Sequence, residues 1–242
     1  MRTAAVTTAL ISLLTVSSAA AQEEGLDPYR FSVGGSLLGF APQGDFAKNV
    51  DFAGGAGGHF LVRLDPAGIA AIRADLSFLV YGHERYRVPL GGGPLGLIQV
   101  DVNTTNSIFA GGLGLQLLAP GPRVRPYANA SVGFSYFVTS SSVEGTESNE
   151  DFASSTNYED GGFAWTVGGG LYIPLYARRT TVSLDIGARW IDNGERDYLR
   201  DDGITFVNNE VQLNPVSSKA KGLQYMLGIT VTFGARSSDL PQ

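Results

Sequence analysis

Apolar side chains recur at every second position in eight stretches of this chain, and the residues between them are small or polar. A period of two sends the two sets to opposite faces of a β-strand. In the first stretch, 29–40, Tyr29, Phe31, Val33 and Leu37 share a face against Arg30, Ser32, Gly34 and Ser36. The second, 52–64, sets Ala56, Phe60, Val62 and Leu64 against His59 and Arg63; the third, from Ile69, sets Ile72, Ala74, Leu76, Phe78 and Val80 against Arg73, Asp75, Ser77 and Tyr81. The fourth, 107–118, carries Phe109, Leu113, Leu115 and Leu117 opposite Gln116. The fifth, 124–138, opposes Ala128, Ala130, Val132, Phe134 and Tyr136 to Arg125, Tyr127, Asn129, Ser131 and Ser135. Phe163, Trp165, Val167, Leu171 and Ile173 line the sixth, 163–175. Val182, Leu184, Ile186, Ala188 and Trp190 line the seventh, 180–191, opposite Asp185 and Arg189. Leu223, Tyr225, Leu227, Ile229, Val231 and Phe233 line the eighth, 223–233. Each apolar face runs about 9–11 residues, the length a tilted strand needs to cross a bilayer.

The connections alternate strictly between short and long. Residues 65–68, 119–123 and 176–179 are tight; 41–51, 82–106, 139–162 and 192–222 are long. Outer-membrane barrels have short periplasmic turns and long outer loops, and an even strand count returns both termini to the periplasmic side. Ile98, Val100 and Val102 alternate out of phase with Phe109 and Leu113. A one-residue phase change is what a β-bulge produces. Residues 83–88 and 98–104 are therefore expected to form a hairpin extension turning at Gly91-Gly92-Gly93-Pro94, against the alternative of a loose loop.

Composition adds an export signal. Residues 1–21 have a basic start at Arg2, a charge-free apolar stretch over 4–16 and small residues at 19–21, so the mature chain is expected to begin at Gln22. Residues 22–28 then form a lead-in, 29–233 the barrel and 234–242 a periplasmic tail. The chain has no cysteine, which excludes disulfides and thiolate chemistry. Its formal charge is -6, one unit more negative without Arg2, and an acidic chain without a basic tract is a poor nucleic-acid binder. Glycine makes up 32 of 242 residues, close to twice the ~7% usual. No later segment offers a spanning helix, since the charge-free stretch 103–122 is interrupted by glycines and a Pro-Gly-Pro turn. Hydrocarbon offers no partner to unpaired backbone groups, so strands that enter it must close into a barrel.

Four features stand out: Phe31-Ser32-Val33-Gly34-Gly35 leading to Pro42-Gln43-Gly44-Asp45-Phe46; Arg125-Pro126-Tyr127-Ala128 followed by Val132-Gly133; glycine-rich cores at 54–58, 111–114 and 168–170; and the closing Val231-Thr232-Phe233. Together they resemble the OmpA/OmpX-type family of small outer-membrane β-barrels. The resemblance implies an assembly signal read from the terminal aromatic, and here nine residues follow Phe233.

The expected fold is thus all-β: an eight-stranded antiparallel up-and-down transmembrane β-barrel. Its lipid-facing belt includes Phe78, Phe134, Trp165, Trp190, Tyr225 and Phe233. Its lumen carries Arg30, His59, Arg63, Arg73, Asp75, Arg125, Asp185 and Arg189. Buried charges must pair, so Asp75 and Asp185 are expected to be shared by Arg73, Arg189 and Arg63, as a structural plug or a narrow gate.

His59 and His83 are the only histidines, and neither belongs to a readable His–Ser–acid set. The acidic segment Glu144, Glu147, Glu150, Asp151, Glu159 and Asp160 matches no calcium-loop spacing and reads as solvated charge rather than a cation site. No catalytic, metal or cofactor site is expected. The leading function is a structural or surface-interacting barrel with a plugged polar lumen; a narrow passive pore, a lipid-modifying enzyme and a lipocalin-like soluble carrier are the rivals. Outer-membrane lipid, lipopolysaccharide and the barrel-assembly machinery are the expected partners, and a monomer the expected state.

Overall fold

The computed structural model describes residues 31–65, 68–89, 99–120, 124–145, 151–177, 180–199, 204–207 and 210–233. Ten strands run in chain order: β1 Phe31–Gln43, β2 Ala53–Arg63, β3 Ala70–Pro89, β4 Gln99–Leu118, β5 Arg125–Gly145, β6 Asp151–Ala177, β7 Thr180–Tyr198, β8 Ile204–Val207, β9 Glu210–Leu213 and β10 Val216–Phe233. Eight of them close a barrel in the order β1-β10-β7-β6-β5-β4-β3-β2, while β8 and β9 form a separate two-stranded hairpin. Every neighbouring pair is antiparallel, and β1 meets β10 from Ser32↔Thr232 to Gln43↔Lys221. Closure leaves no sheet edge at membrane depth, which hydrocarbon requires.

The burial pattern is that of a soluble protein turned inside out. Leu37 is 71% exposed, Leu113 64% and Phe134 57%, whereas the charged Asp185 is 0% and Arg73 1% exposed. Phe78, Trp165, Tyr225 and Phe233 also face outward, as the belt requires. Trp190 stands on the same face of β7, half-covered between its cross-strand neighbours Val167 and Leu223. A lipocalin-like carrier would place these side chains inside, so that rival is excluded.

Glycine is required where the lumen is narrowest. A Cβ on Gly34 would lie 2.3 Å from His59 Cε1, and one on Gly170 or Gly187 would lie 2.6 or 2.8 Å from the Tyr127 hydroxyl. An eight-stranded barrel is only wide enough to be filled by its own side chains, so a large inward residue demands glycine beside it.

Most of the strands are longer than the alternation predicts, chiefly at the long-connection end, whereas β2 stays within its predicted stretch. β3 and β4 pair out to Pro89↔Gln99 with one extra residue, Tyr81, between Val80 and Gly82 of β3. β4 itself runs against β5 without a shift, so the phase change within β4 is a change of apolar face, Val100 and Val102 standing on the side of Thr104, Asn106 and Ile108, and not a bulge in that strand. The predicted extension is thus formed, with its bulge on β3; the expected turn 91–94 lies outside the described residues. Much of the predicted loop 139–162 is strand as well, because β5 and β6 continue to Glu144↔Asp151. Likewise β7 and β10 pair up to Val216↔Tyr198. Beyond the bilayer both faces of a strand meet water, so polar residues occupy both and the period-two contrast fades.

Candidate functional site

The barrel interior is layered. Near the short turns, Leu118, Tyr127 and Tyr172 form a buried apolar cluster, the two tyrosine rings stacked at 4.6 Å. At the opposite end a larger cluster includes Leu38, Phe40, Leu79, Tyr81, Ile108, Phe137, Ile191 and Met226. Between them lies a polar slab. The expected polar lumen therefore carries apolar layers as well, and buried polar groups such as Asn106, Thr139 and Ser218 continue toward the long-connection end. Leu38, Leu79, Ile108 and Met226 point inward while their neighbours in sequence point outward. Where both faces are apolar, alternation carries no contrast.

Two hydrogen-bonded systems make up the slab. In the first, Asp75 on β3 accepts from Arg73 Nε at 2.9 Å and from Arg189 Nη1 at 2.8 Å, so one carboxylate serves two guanidiniums. Arg73 Nη1 also donates to Gln116 Oε1 at 2.7 Å, and Gln116 Nε2 donates to the Tyr172 hydroxyl at 3.3 Å. Arg189 Nη2 donates to Gln224 Oε1 at 2.8 Å. The relay Tyr172–Gln116–Arg73–Asp75–Arg189–Gln224 crosses the lumen and ties together β6, β4, β3, β7 and β10. In the second system Asp185 accepts from the Tyr127 hydroxyl at 2.7 Å and from Thr230 Oγ1 at 3.4 Å, and Thr230 pairs with His59 Nε2 at 3.1 Å.

Sequence reasoning predicted that the arginines share both carboxylates. Asp75 takes Arg73 and Arg189, whereas Asp185 is held by hydroxyl groups. Arg63 and Arg125 do not join the slab. Arg125 donates to the carbonyls of Ala119 at 3.1 Å and Gly68 at 3.5 Å, tying two short turns together. Arg63 packs its guanidinium against Gly68, whose φ of +66° favours glycine. Both arginines are inward by parity but lie toward the short turns; Arg63 stands four residues beyond His59, the cross-strand neighbour of Asp75. Arg30 lies outside the described residues. Tyr127, Gln116, Tyr172, Thr230 and Gln224 were missed as slab members. Tyr127 was already on the inward face, and the rule that a buried hydroxyl needs a partner could have found it.

A cavity of about 40 Å³ opens in the slab beside Asp75, Ser77, Ser131, Thr166, Arg189 and Asn193. At ~10–15 Å³ per water this holds about three waters. Arg189 Nε and Asn193 Oδ1 are buried and make no protein hydrogen bond, which marks water as their partner. No group of three or more His, Cys, Asp or Glu residues positioned to hold a metal ion occurs among the described residues.

The β1–β2 loop folds into the long-connection mouth. Gly44, with φ of +65°, turns the chain into a short 3-10 turn, Phe46–Lys48, that drops Phe46 into the barrel at 0% exposure. On the loop's outer side Lys48 pairs with Asp45 at 2.7 Å. That hydrogen bond, and the nearby lysine charges, hold the Asp45 carboxyl below its ordinary range. His83, near the mouth, pairs with Thr105 at 3.1 Å. Within the described bonds, His59 meets the Thr230 hydroxyl, which lies between it and the Asp185 carboxylate.

The likeness to known proteins follows the geometry. A surface protein from Neisseria, NspA, is 14% identical, with 84% of this chain and 97% of that chain covered and a TM-score of 0.44. OprG of Pseudomonas aeruginosa is 14% identical over 87% of this chain and 99% of its own, with a TM-score of 0.47. The attachment invasion locus protein Ail of Yersinia pestis is 9% identical over 84% and 98%, with a TM-score of 0.43. No curated protein sequence matches the chain. The model of one family, the outer membrane protein beta-barrel domain, matches residues 6–206. With that match over most of its length and a closed eight-stranded barrel that wears its apolar residues outside, this chain belongs to the outer membrane protein beta-barrel domain family and is an outer-membrane protein crossing the bilayer with β-strands.

Proposed function

We propose that this barrel is a non-conducting, non-enzymatic outer-membrane protein whose working surface is the set of strand extensions and loops at its long-connection end. The carrying observation is the filled interior. Tyr127 stacked on Tyr172, the Asp75 ion-pair relay and Phe46 occupy it in succession from one end to the other. A cavity beside the relay is about 40 Å³, room for a few waters.

The long-connection end faces the exterior in this reading, and both termini face the periplasm. Residues 1–21 are removed on export, leaving Gln22 as the first residue. Outer-membrane lipid and lipopolysaccharide contact the belt, the assembly machinery inserts the barrel, and it works as a monomer. The elongated β3–β6 sheet then stands clear of the lipid with a hydroxyl-rich surface, including Thr105, Ser140 and Ser141. A surface contact with extracellular molecules is the role this geometry suits.

Planar-bilayer recording of the refolded protein tests the reading. A filled barrel gives no stepwise current. Reproducible ohmic steps would favour the narrow-pore alternative and end this one.

A further inference from the structure

The Phe46 ring does more than fill space at the mouth; it sits in an aromatic cage. Tyr198 meets it edge-on at 5.0 Å and 89°, Phe137 at 6.1 Å and 73°, Tyr81 at 6.3 Å and 60°, and Phe40 is tilted at 6.1 Å. These rings come from β1, β3, β5 and β7, so the barrel wall builds the cage whatever the loop does. Tyr81 is anchored independently through the Leu199 carbonyl at 3.3 Å, and Tyr198 through Ser218 at 2.9 Å.

The loop is held far less firmly than its cage. Gln43, Gly44, Asp45, Ala47, Lys48, Asp51 and Phe52 are all exposed. Apart from Phe46 and the buried Val50, its described polar tie to the barrel is Asn49 Nδ2 donating to the Tyr198 hydroxyl at 3.1 Å. The Lys48–Asp45 pair lies within the loop and in water, where ion pairs contribute little. Gly44 supplies a hinge that can swing without steric cost.

We propose that the long-connection mouth is a binding pocket for a small, uncharged, planar apolar group, and that Phe46 is its resident stand-in. Edge-to-face rings favour an aromatic guest, because ring quadrupoles pair edge to face. Leu38, Leu79, Ile108 and Met226 share the buried apolar cluster with the cage and give a charge no partner. The Tyr198 hydroxyl, still held by Ser218, regains the acceptor position that Asn49 occupied and offers the guest one hydrogen bond. The site lies at the mouth and needs no conduction, so it stands or falls separately from the sealed-barrel reading.

Calorimetric titration of phenol into nanodiscs carrying the full barrel, against empty nanodiscs, tests this. Phe46→Ala is expected to bind one phenol per barrel at least tenfold more tightly than wild type, which must first expel its own ring. Adding Phe137→Leu, which keeps the wall apolar but removes a ring, is expected to weaken that binding at least fivefold. In wild type, saturating phenol is expected to shift the emission of an environment-sensitive dye on Ala47→Cys. Should Phe46→Ala fail to give a heat-shifted band on gels, Phe46→Leu takes its place with the same expectations. Absence of saturable binding in the variant overturns the proposal. So do equal affinities in variant and wild type, indifference to Phe137→Leu, or a dye at position 47 that phenol does not move.

Discussion

Asp75→Asn is the substitution to which this interior is most sensitive. The carboxylate sits between two guanidiniums, with Arg73 and Arg189 both at 2.8 Å, and all three side chains are at most one-tenth exposed. Asparagine keeps the volume and one acceptor oxygen but leaves two buried cations facing a single remaining slab carboxylate, Asp185. Breaking a buried pair by removing one partner costs about 3–5 kcal/mol. The retained acceptor places Asn near the lower end, about 3 kcal/mol, or roughly 150-fold in the folding equilibrium. Asp185→Asn is the matched control, since its described partners are the hydroxyls of Tyr127 and Thr230: an amide oxygen can still accept from Tyr127 while the amide NH2 donates to a reoriented Thr230 hydroxyl. It is expected to cost about 1 kcal/mol. Urea titrations in lipid vesicles, followed by the fluorescence of the outward-facing Trp165 and Trp190, read both variants. In the Asp75→Asn background, Arg189→Met should then recover part of the loss by removing one uncompensated charge. Equal costs for the two aspartates, or a further loss on adding Arg189→Met, would refute the ion-pair account of the slab.

Other outcomes follow from the same geometry. Gly34→Val places carbon against His59 and Thr230, where even a Cβ would lie 2.3 and 2.8 Å away, so refolding yield on heat-shift gels should collapse, and His59→Ala should restore part of it. Leu113→Arg, at a lipid-facing position 64% exposed, should cost about 2–4 kcal/mol in vesicle refolding if the position lies near the bilayer midplane. Arg125→Ala removes the link between two short turns and should leave the slab intact, with an expected loss of about 1–2 kcal/mol by urea titration.

The fold was legible because a barrel in lipid writes one rule into every strand: apolar out, small or polar in. That rule located all eight barrel strands, since Leu113, Val132 and Ile229 have polar or glycine neighbours on both sides. It failed where the contrast disappears. Leu38, Leu79 and Ile108 are apolar inside as well as beside apolar exterior positions, so the upper lumen was invisible. Ser140 to Ser142 and Ser154 to Thr156 are polar on both faces, so the strand extensions read as loop. Pairing in the slab depends on barrel shear, which sequence parity does not contain. Parity put Arg63 and Arg125 inward, yet only height along the axis separates them from Asp75. Phe46 was in view as part of a loop motif; nothing local to it says that four strands leave a ring-lined space at that height.

The central claim is that lipid, not a protein core, receives the apolar face. The chain has no cysteine, so single cysteines can be placed along 129–135 of β5 and spin-labelled without background. In lipid vesicles, labels at Ala130, Val132 and Phe134 should collide freely with oxygen dissolved in the bilayer, while Asn129, Ser131, Gly133 and Ser135 should be shielded from it. A two-residue oscillation in that phase is the predicted result. The opposite phase, or uniform access to a water-soluble relaxant along the whole segment, would contradict the account.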